Sequence, residues 1–200
     1  MRFAMIATLC AAWAITAADP KAGDGALYFP VKEGTKRVSE VKVGERTIEM
    51  TETVTKVESK DGKHVVTTEV VHKSEKYQTT INIFEVSERG LSRISGRQKE
   101  REPLPLLKLG TKEGESWTAD QMGQGGVVGK ATYTMGKMEE VKVPAGTFTA
   151  RRVDVEITFG ASTHKMSNWY APGIGSVKFE ADLGGKGMQT TVLKSFTSGK

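Results

Sequence analysis

The chain holds one cysteine, Cys10, and three histidines, His64, His72 and His164, in 200 residues. Cys10 lies within MRFAMIATLCAAWAITAA, where Arg2 precedes an apolar run and Thr16, Ala17 and Ala18 supply small residues before Asp19. That pattern reads as a secretory signal over residues 1–18, cleaved after Ala18. Its removal takes the only thiol with it, which excludes a disulfide, a thiolate nucleophile and a cysteine metal site from the mature chain. Leu9, bulky and directly before Cys10, argues against lipid attachment there. Long apolar runs are also missing: no later segment approaches the roughly twenty residues a membrane helix needs. The expected product is exported, periplasmic or secreted, without a transmembrane segment.

Charge of one sign is scarce as well. Lys and Arg number 29 against 24 Asp and Glu, a net charge of +5 that falls by one with Arg2. Lys56, Glu58, Lys60 and Lys63 show the pattern, with basic residues interleaved among acids and threonines. This describes a solvated sheet face, not a nucleic-acid groove, which needs clustered charge with stacking aromatics.

Residues that would demand a reaction are lacking. His64 and His72 stand eight apart on one strand, roughly 26 Å by strand rise, too far to share a metal. Glu139 and Glu140 are neighbours that would face opposite ways on a strand, and Asp154 with Glu156 fits a solvated face beside Arg152. Gly160-Ala161-Ser162-Thr163-His164 lacks the closing glycine of a nucleophile elbow. Gly123-Gln124-Gly125-Gly126-Val127-Val128-Gly129-Lys130 has Gln124 where a phosphate loop wants glycine and Ala131 where it wants Ser or Thr. No catalytic, cofactor-binding or metal residue is therefore assigned, and the chain is read as a non-enzyme with no cofactor.

What is present is strand alternation punctuated by turns. Val153, Val155, Ile157 and Phe159 alternate with Arg152, Asp154, Glu156 and Thr158, a period of two that marks one buried face. Pro144-Ala145-Gly146 and Pro172-Gly173-Ile174-Gly175 divide residues 141–180 into an antiparallel meander. Earlier, strands are expected over residues 36–43, 47–59 with a bulge near 54–57, 65–71 and 77–83. Asp61-Gly62 is the strongest hairpin signal. Pro103 and Pro105 argue against a central strand, so residues 98–110 are expected to cross the sheet in extended form. Gly110 to Trp117 faintly echoes Gly34-Thr35-Lys36, too little to establish a duplication. The expected organisation is a signal over residues 1–18, a flexible lead-in over 19–26 and a single β domain over 27–200.

Val143-Pro144-Ala145-Gly146-Thr147-Phe148-Thr149-Ala150, followed by an alternating strand and Trp169-Tyr170-Ala171-Pro172-Gly173-Ile174-Gly175-Ser176-Val177-Lys178, resembles a DUF3108-like family of exported bacterial domains of unknown function. The resemblance implies an all-β fold with a single long, strongly curved antiparallel sheet. This would be a half-open barrel with meander connections and little helix, similar in shape to periplasmic lipoprotein carriers. It also implies a concave face that takes an apolar small molecule or a segment of an envelope protein. Trp117, Phe159, Met166, Trp169, Tyr170 and Phe179 are the large side chains expected there, although each taken singly is more often core. A monomeric, non-catalytic binding module follows; an envelope assembly protein acting through protein contacts is the alternative. A hydrolase outside the cytoplasm would need a polar pocket joining His164 to Asp154 or Glu156.

Overall fold

The computed structural model describes residues 26–73, 78–95, 99–123, 126–183 and 187–200. The expected signal and most of the lead-in lie outside these residues. Twelve strands follow one another: β1 Lys36–Val43, β2 Arg46–Lys60, β3 Lys63–Lys73, β4 Gln78–Ser87, β5 Gly90–Ser95, β6 Lys99–Lys108, β7 Ser116–Met122, β8 Val128–Val143, β9 Gly146–Phe159, β10 Ser162–Ala171, β11 Gly175–Asp182 and β12 Met188–Thr197. They form one antiparallel sheet in the order β6-β5-β4-β3-β2-β1-β12-β11-β10-β9-β8-β7, curled into a nearly closed barrel. None of the described residues forms a helix long and apolar enough to cross a membrane.

Alternation produces this shape. Val153, Val155 and Ile157 are buried while Asp154 and Glu156 on the opposite face are not, so each strand offers the barrel interior an apolar row. Asp61 and Gly62 both take positive φ, 51° and 74°, which matches the twist of the β2–β3 hairpin. The ladder between β2 and β3 shifts register between Val54 and Lys56, the bulge expected in this strand. Residues 99–108, expected to cross the sheet, instead form edge strand β6. Their pairing with β5 breaks register twice, next to Pro105 and again beyond Leu104. An edge tolerates proline because its missing N–H faces no neighbour.

Two six-stranded meanders laid out alike make up the sheet. Before β1, Thr35 N–H donates to Lys32 O at 3.2 Å; before β7, Glu115 N–H donates to Lys112 O at 3.1 Å. In these two turns, Gly34 and Gly114 adopt φ of 78° and 82° and donate to Val54 O and Met135 O, both at 2.8 Å. Val54 and Met135 return the bond to Thr35 O and Glu115 O, both at 2.9 Å. Just beyond these residues each long strand breaks register, between Val54 and Lys56 and between Met135 and Met138. A second matched pair of breaks falls between Ile83 and Phe84 and between Trp169 and Tyr170. The shared words are thus Lys32-Glu33-Gly34 and Lys112-Glu113-Gly114, in a different register from the faint echo at Gly110.

The halves join through the β1–β12 ladder. Among the described residues no ladder joins β6 to β7, and the barrel has its seam there. Trp117 spans it, donating from Nε1 to Pro105 O at 3.0 Å. Residues 27–35 cross one end of the barrel. They run from Gly173, whose N–H donates to Leu27 O at 2.7 Å, to Val54 at the Gly34 turn, and they bury Tyr28 and Phe29. Replacing Trp117 with Phe keeps most of the apolar surface but strands the Pro105 carbonyl. We expect a loss of about 1 kcal/mol in urea unfolding, with faster amide exchange confined to β6 and β7. A uniform rise in exchange across all strands would contradict this account of the seam.

Candidate functional site

The interior of the barrel is mostly filled by its own side chains but retains a cavity of about 470 Å³. Its apolar lining includes Phe84, Leu104, Tyr133, Val155 and Leu193, drawn from strands on every side of the barrel. Polar side chains line both halves, Ser39 and Asn82 in the first meander and Gln121, Asn168, Ser176 and Thr191 in the second, but the charged residues among the lining, Arg37, Glu52 and Arg93, all lie on β1, β2 and β5 of the first meander.

Arg37 and Glu52 face each other across the β1–β2 ladder and form a buried ion pair, Nη1 to Oε2 at 2.5 Å. Thr68 Oγ1 donates to Glu52 Oε1 at 2.9 Å, and Arg37 Nη2 donates to the Ser176 carbonyl. The guanidinium carbon lies 5.7 Å from the centre of the Phe29 ring. Arg37 Nε is buried with no hydrogen-bond partner in the structure.

The second meander places other chemistry at the matched positions. Counting from Gly34 and Gly114, Arg37 corresponds to Trp117. Glu52 and Tyr133 each stand two residues before the strand residue that bonds that glycine. Trp117 pairs with Tyr133 in the β7–β8 ladder as Arg37 pairs with Glu52, and the two rings stack at 5.4 Å and 7°. Thr68 faces Val54 where Val153 faces Met135. A polar triad in one half is therefore an apolar triad in the other. Asn82 and Asn168 also correspond, facing Thr68 and Val153 in their ladders, and both line the cavity. Arg93 faces Phe84 across the same bulge at which Ser176 faces Tyr170, so a cation on one side is matched by a hydroxyl on the other.

Of the six large side chains expected on the concave face, Met166, Tyr170 and Phe179 line the cavity. Trp117 is buried beside it in the same core, and the half-buried Phe159 packs on that core's margin, against Gly123 and Gly129, leaving no room for a Cβ at either. Trp169 faces the other side of the sheet, as a strand neighbour of Tyr170 must. There it joins a second apolar cluster with Val141, Phe148 and Ala171. Its Nε1 donates to Glu139 at 2.5 Å, and that bond is the main reason the Glu139 carboxyl is held below its ordinary value. Lys178 and Arg152 lie over the Trp169 ring at 4.6 and 5.3 Å.

Leu104 and Gln121 line both the central cavity and a groove along the β6–β7 seam that also includes Pro103, Pro105 and Thr118. The seam thus adjoins the interior.

His164 does not join the carboxylates that a hydrolase would use. It pairs with Ile157, an inward residue, whereas Asp154 and Glu156 pair with Ser167 and Lys165 on the opposite face. Asp154 instead accepts from Arg152 at 2.8 Å and Ser167 at 2.5 Å. Among the described residues no three His, Cys, Asp or Glu side chains converge on a metal position.

No known family's profile matches the chain, and no curated protein resembles it closely enough to count. Solved structures do. A protein from Bacteroides fragilis designated as exported, with a YmcC-like fold, superposes with a TM-score of 0.63 at 17% identity, covering 86% of this chain and 100% of that one. A protein from Parabacteroides distasonis designated a lipoprotein gives 0.56 at 16% identity, covering 88% of this chain and 100% of that one. At these identities the likeness shows a common fold. The chain has this curled sheet.

Two measurements follow from the cavity's polar lining. Arg37→Met strands a buried carboxylate, and we expect a loss of about 3 kcal/mol or more, with Arg37→Met combined with Glu52→Leu recovering much of it. Additive losses in the double variant would contradict a coupled pair. Burial, helped by Tyr133 and opposed by Arg93 and Arg37, pushes the Tyr170 phenol above its ordinary value of 10.0. Below that pH both folded and unfolded phenols are protonated. As pH rises through it the unfolded chain ionises first, so stability falls on the alkaline side. Tyr170→Phe is expected to flatten that alkaline limb in urea titrations, and an unchanged limb would exclude Tyr170 as its source.

Proposed function

We propose that this chain is an exported, non-catalytic binding protein that holds an apolar molecule inside its barrel. The single observation that carries the reading is the retained cavity: twelve strands of inward side chains leave about 470 Å³ against Phe84, Leu104, Tyr133 and Val155. That is the size and character of a small-molecule site. Export is supported by the signal-like residues 1–18 and by the designations of the two similar structures, one exported and one a lipoprotein. Membership of the DUF3108-like family belongs to the same reading and rests on the words around Pro144 and Trp169. We further take residues 27–200 as one domain that works as a monomer, with Met166, Tyr170 and Phe179 as ligand contacts.

Native mass spectrometry of the mature protein from its own host, followed by organic extraction, tests this. A stoichiometric apolar adduct is expected, and it should disappear in Phe179→Asp while the melting transition stays cooperative. A clean apo monomer from gentle purification, with no adduct in the unsubstituted protein, would count against the reading.

A further inference from the structure

Strand direction decides which end of the barrel is open. In an antiparallel meander the turns after odd-numbered strands gather at one end and those after even-numbered strands at the other. Residues 27–35 cross the end of the even-numbered turns, where Gly173 of the β10–β11 turn bonds to Leu27. The cavity lining nearest that end is buried: Phe29 4%, Leu91 2% and Tyr170 5% exposed. Lining residues nearer the opposite end, Met50, Met166, Phe179 and Thr191, are only half-buried. The cavity therefore has its mouth at the end formed by the odd-numbered turns.

The rim of that mouth differs between the meanders. Four large apolar side chains are exposed among the described residues, and three of them, Val127, Val128 and Met188, sit at the β7–β8 and β11–β12 turns on this rim. Phe159 and Leu183, half-buried, belong to the same edge. The matching rim of the first meander exposes Lys42, Glu45, Arg46 and Lys73 instead. Backbone polarity is settled within the apolar turns: Gly123 N–H donates to Val127 O at 2.7 Å and Leu183 N–H to Gly187 O at 2.9 Å. Turns closed in this way carry apolar side chains into a nonpolar medium without stranding these donors and acceptors.

We propose that the second meander's rim docks on a lipid bilayer, with Val127, Val128 and Met188 entering its interfacial layer so that the mouth opens toward the membrane. Docking presumes the binding role proposed above, since an apolar ligand gives the mouth its reason to meet lipid. A second copy of the chain fits this rim less well. Three side chains on two turns, separated by the β9–β10 turn, fall far short of the roughly 800 Å² per partner that a stable dimer buries. Side chains inserted into a bilayer each contribute without a matching surface.

The test adds phosphatidylcholine vesicles to the mature protein, residues 19–200, which lacks Cys10 and so any thiol. Met188→Cys and Ile81→Cys each carry a polarity-sensitive nitrobenzoxadiazole label. Ile81, 48% exposed on β4 and a strand neighbour of the cavity-lining Asn82, faces the outside of the barrel away from the turns and serves as the control. Co-flotation of the unlabelled protein with vesicles is expected, with a blue shift of the label at position 188 and none at 81. Val128→Asp combined with Met188→Asp should lower the vesicle partition by about a hundredfold, about tenfold for each inserted side chain lost. Melting curves and the native mass spectrum, any adduct included, should stay as in the unsubstituted protein, because neither residue lines the cavity. Absence of co-flotation, equal shifts at both positions, a partition unchanged in the double variant, or a dimer that the double variant abolishes would each overturn the docking inference. An adduct without vesicle binding would leave the binding role standing alone; vesicle binding without an adduct would remove that role and leave the docking.

Discussion

A sheet without a second layer has to bury its apolar face against itself, and the rest of this structure depends on that constraint. No helices cover the inward row of Val153, Val155 and Ile157, so burial requires curvature, and curvature over twelve strands brings the two outermost strands together. Those edges, β6 and β7, are where backbone pairing ends. Pro103 and Pro105 lower the donor count of β6, and Trp117 supplies a side-chain bond where a ladder would otherwise run. An edge built this way resists pairing with another chain while leaving a groove that shares Leu104 and Gln121 with the interior.

Correspondence between the halves shows how a nearly closed barrel can carry its interior charges on one side only. A barrel of two equivalent meanders would have two equivalent walls. Here one cross-strand position holds an ion pair and its counterpart a stacked aromatic pair. The buried ion pair is an expensive way to fill space, since an apolar pair of similar volume is often as stable, and the second meander shows that the same backbone accepts such a pair. The Arg37–Glu52 pair therefore stands where the backbone alone does not require it.

Much of the fold could be read from the residues. Period-two alternation located most of the strands and Asp61-Gly62 the tightest hairpin, whereas the two prolines ruled out a central strand but suggested a crossing segment in place of edge strand β6. The edge position of residues 99–108 was less evident, because extended crossing segments and edge strands share the same proline tolerance. The repeat of the two meanders shares one short run, Lys-Glu-Gly, besides isolated matches such as Asn82 and Asn168, so it emerged from hydrogen bonds and ladders, not letters. For the interior, Met166, Tyr170 and Phe179 could be grouped by size alone, but Trp169 could not belong with Tyr170 once strand geometry was applied. Arg37 and Glu52 were passed over because charged residues among threonines look solvated. Their pairing depends on a ladder register between strands that no local pattern reveals.

The union of the meanders through β1 and β12 has a consequence for how the chain reaches this state. Its central ladder ties Lys36 to Thr197, and Gly199 N–H bonds to Thr35 Oγ1 at 3.0 Å. Chain synthesis delivers the first meander long before its partner strand exists. Local hairpins from β1 through β6 form early, but loop closure across most of the chain must wait for the last strand. Until then β1 is an unpaired edge, and the half of the interior that carries the charges faces water. A polypeptide arranged like this matures late and as a whole, so its vulnerable period is the interval before β12 arrives.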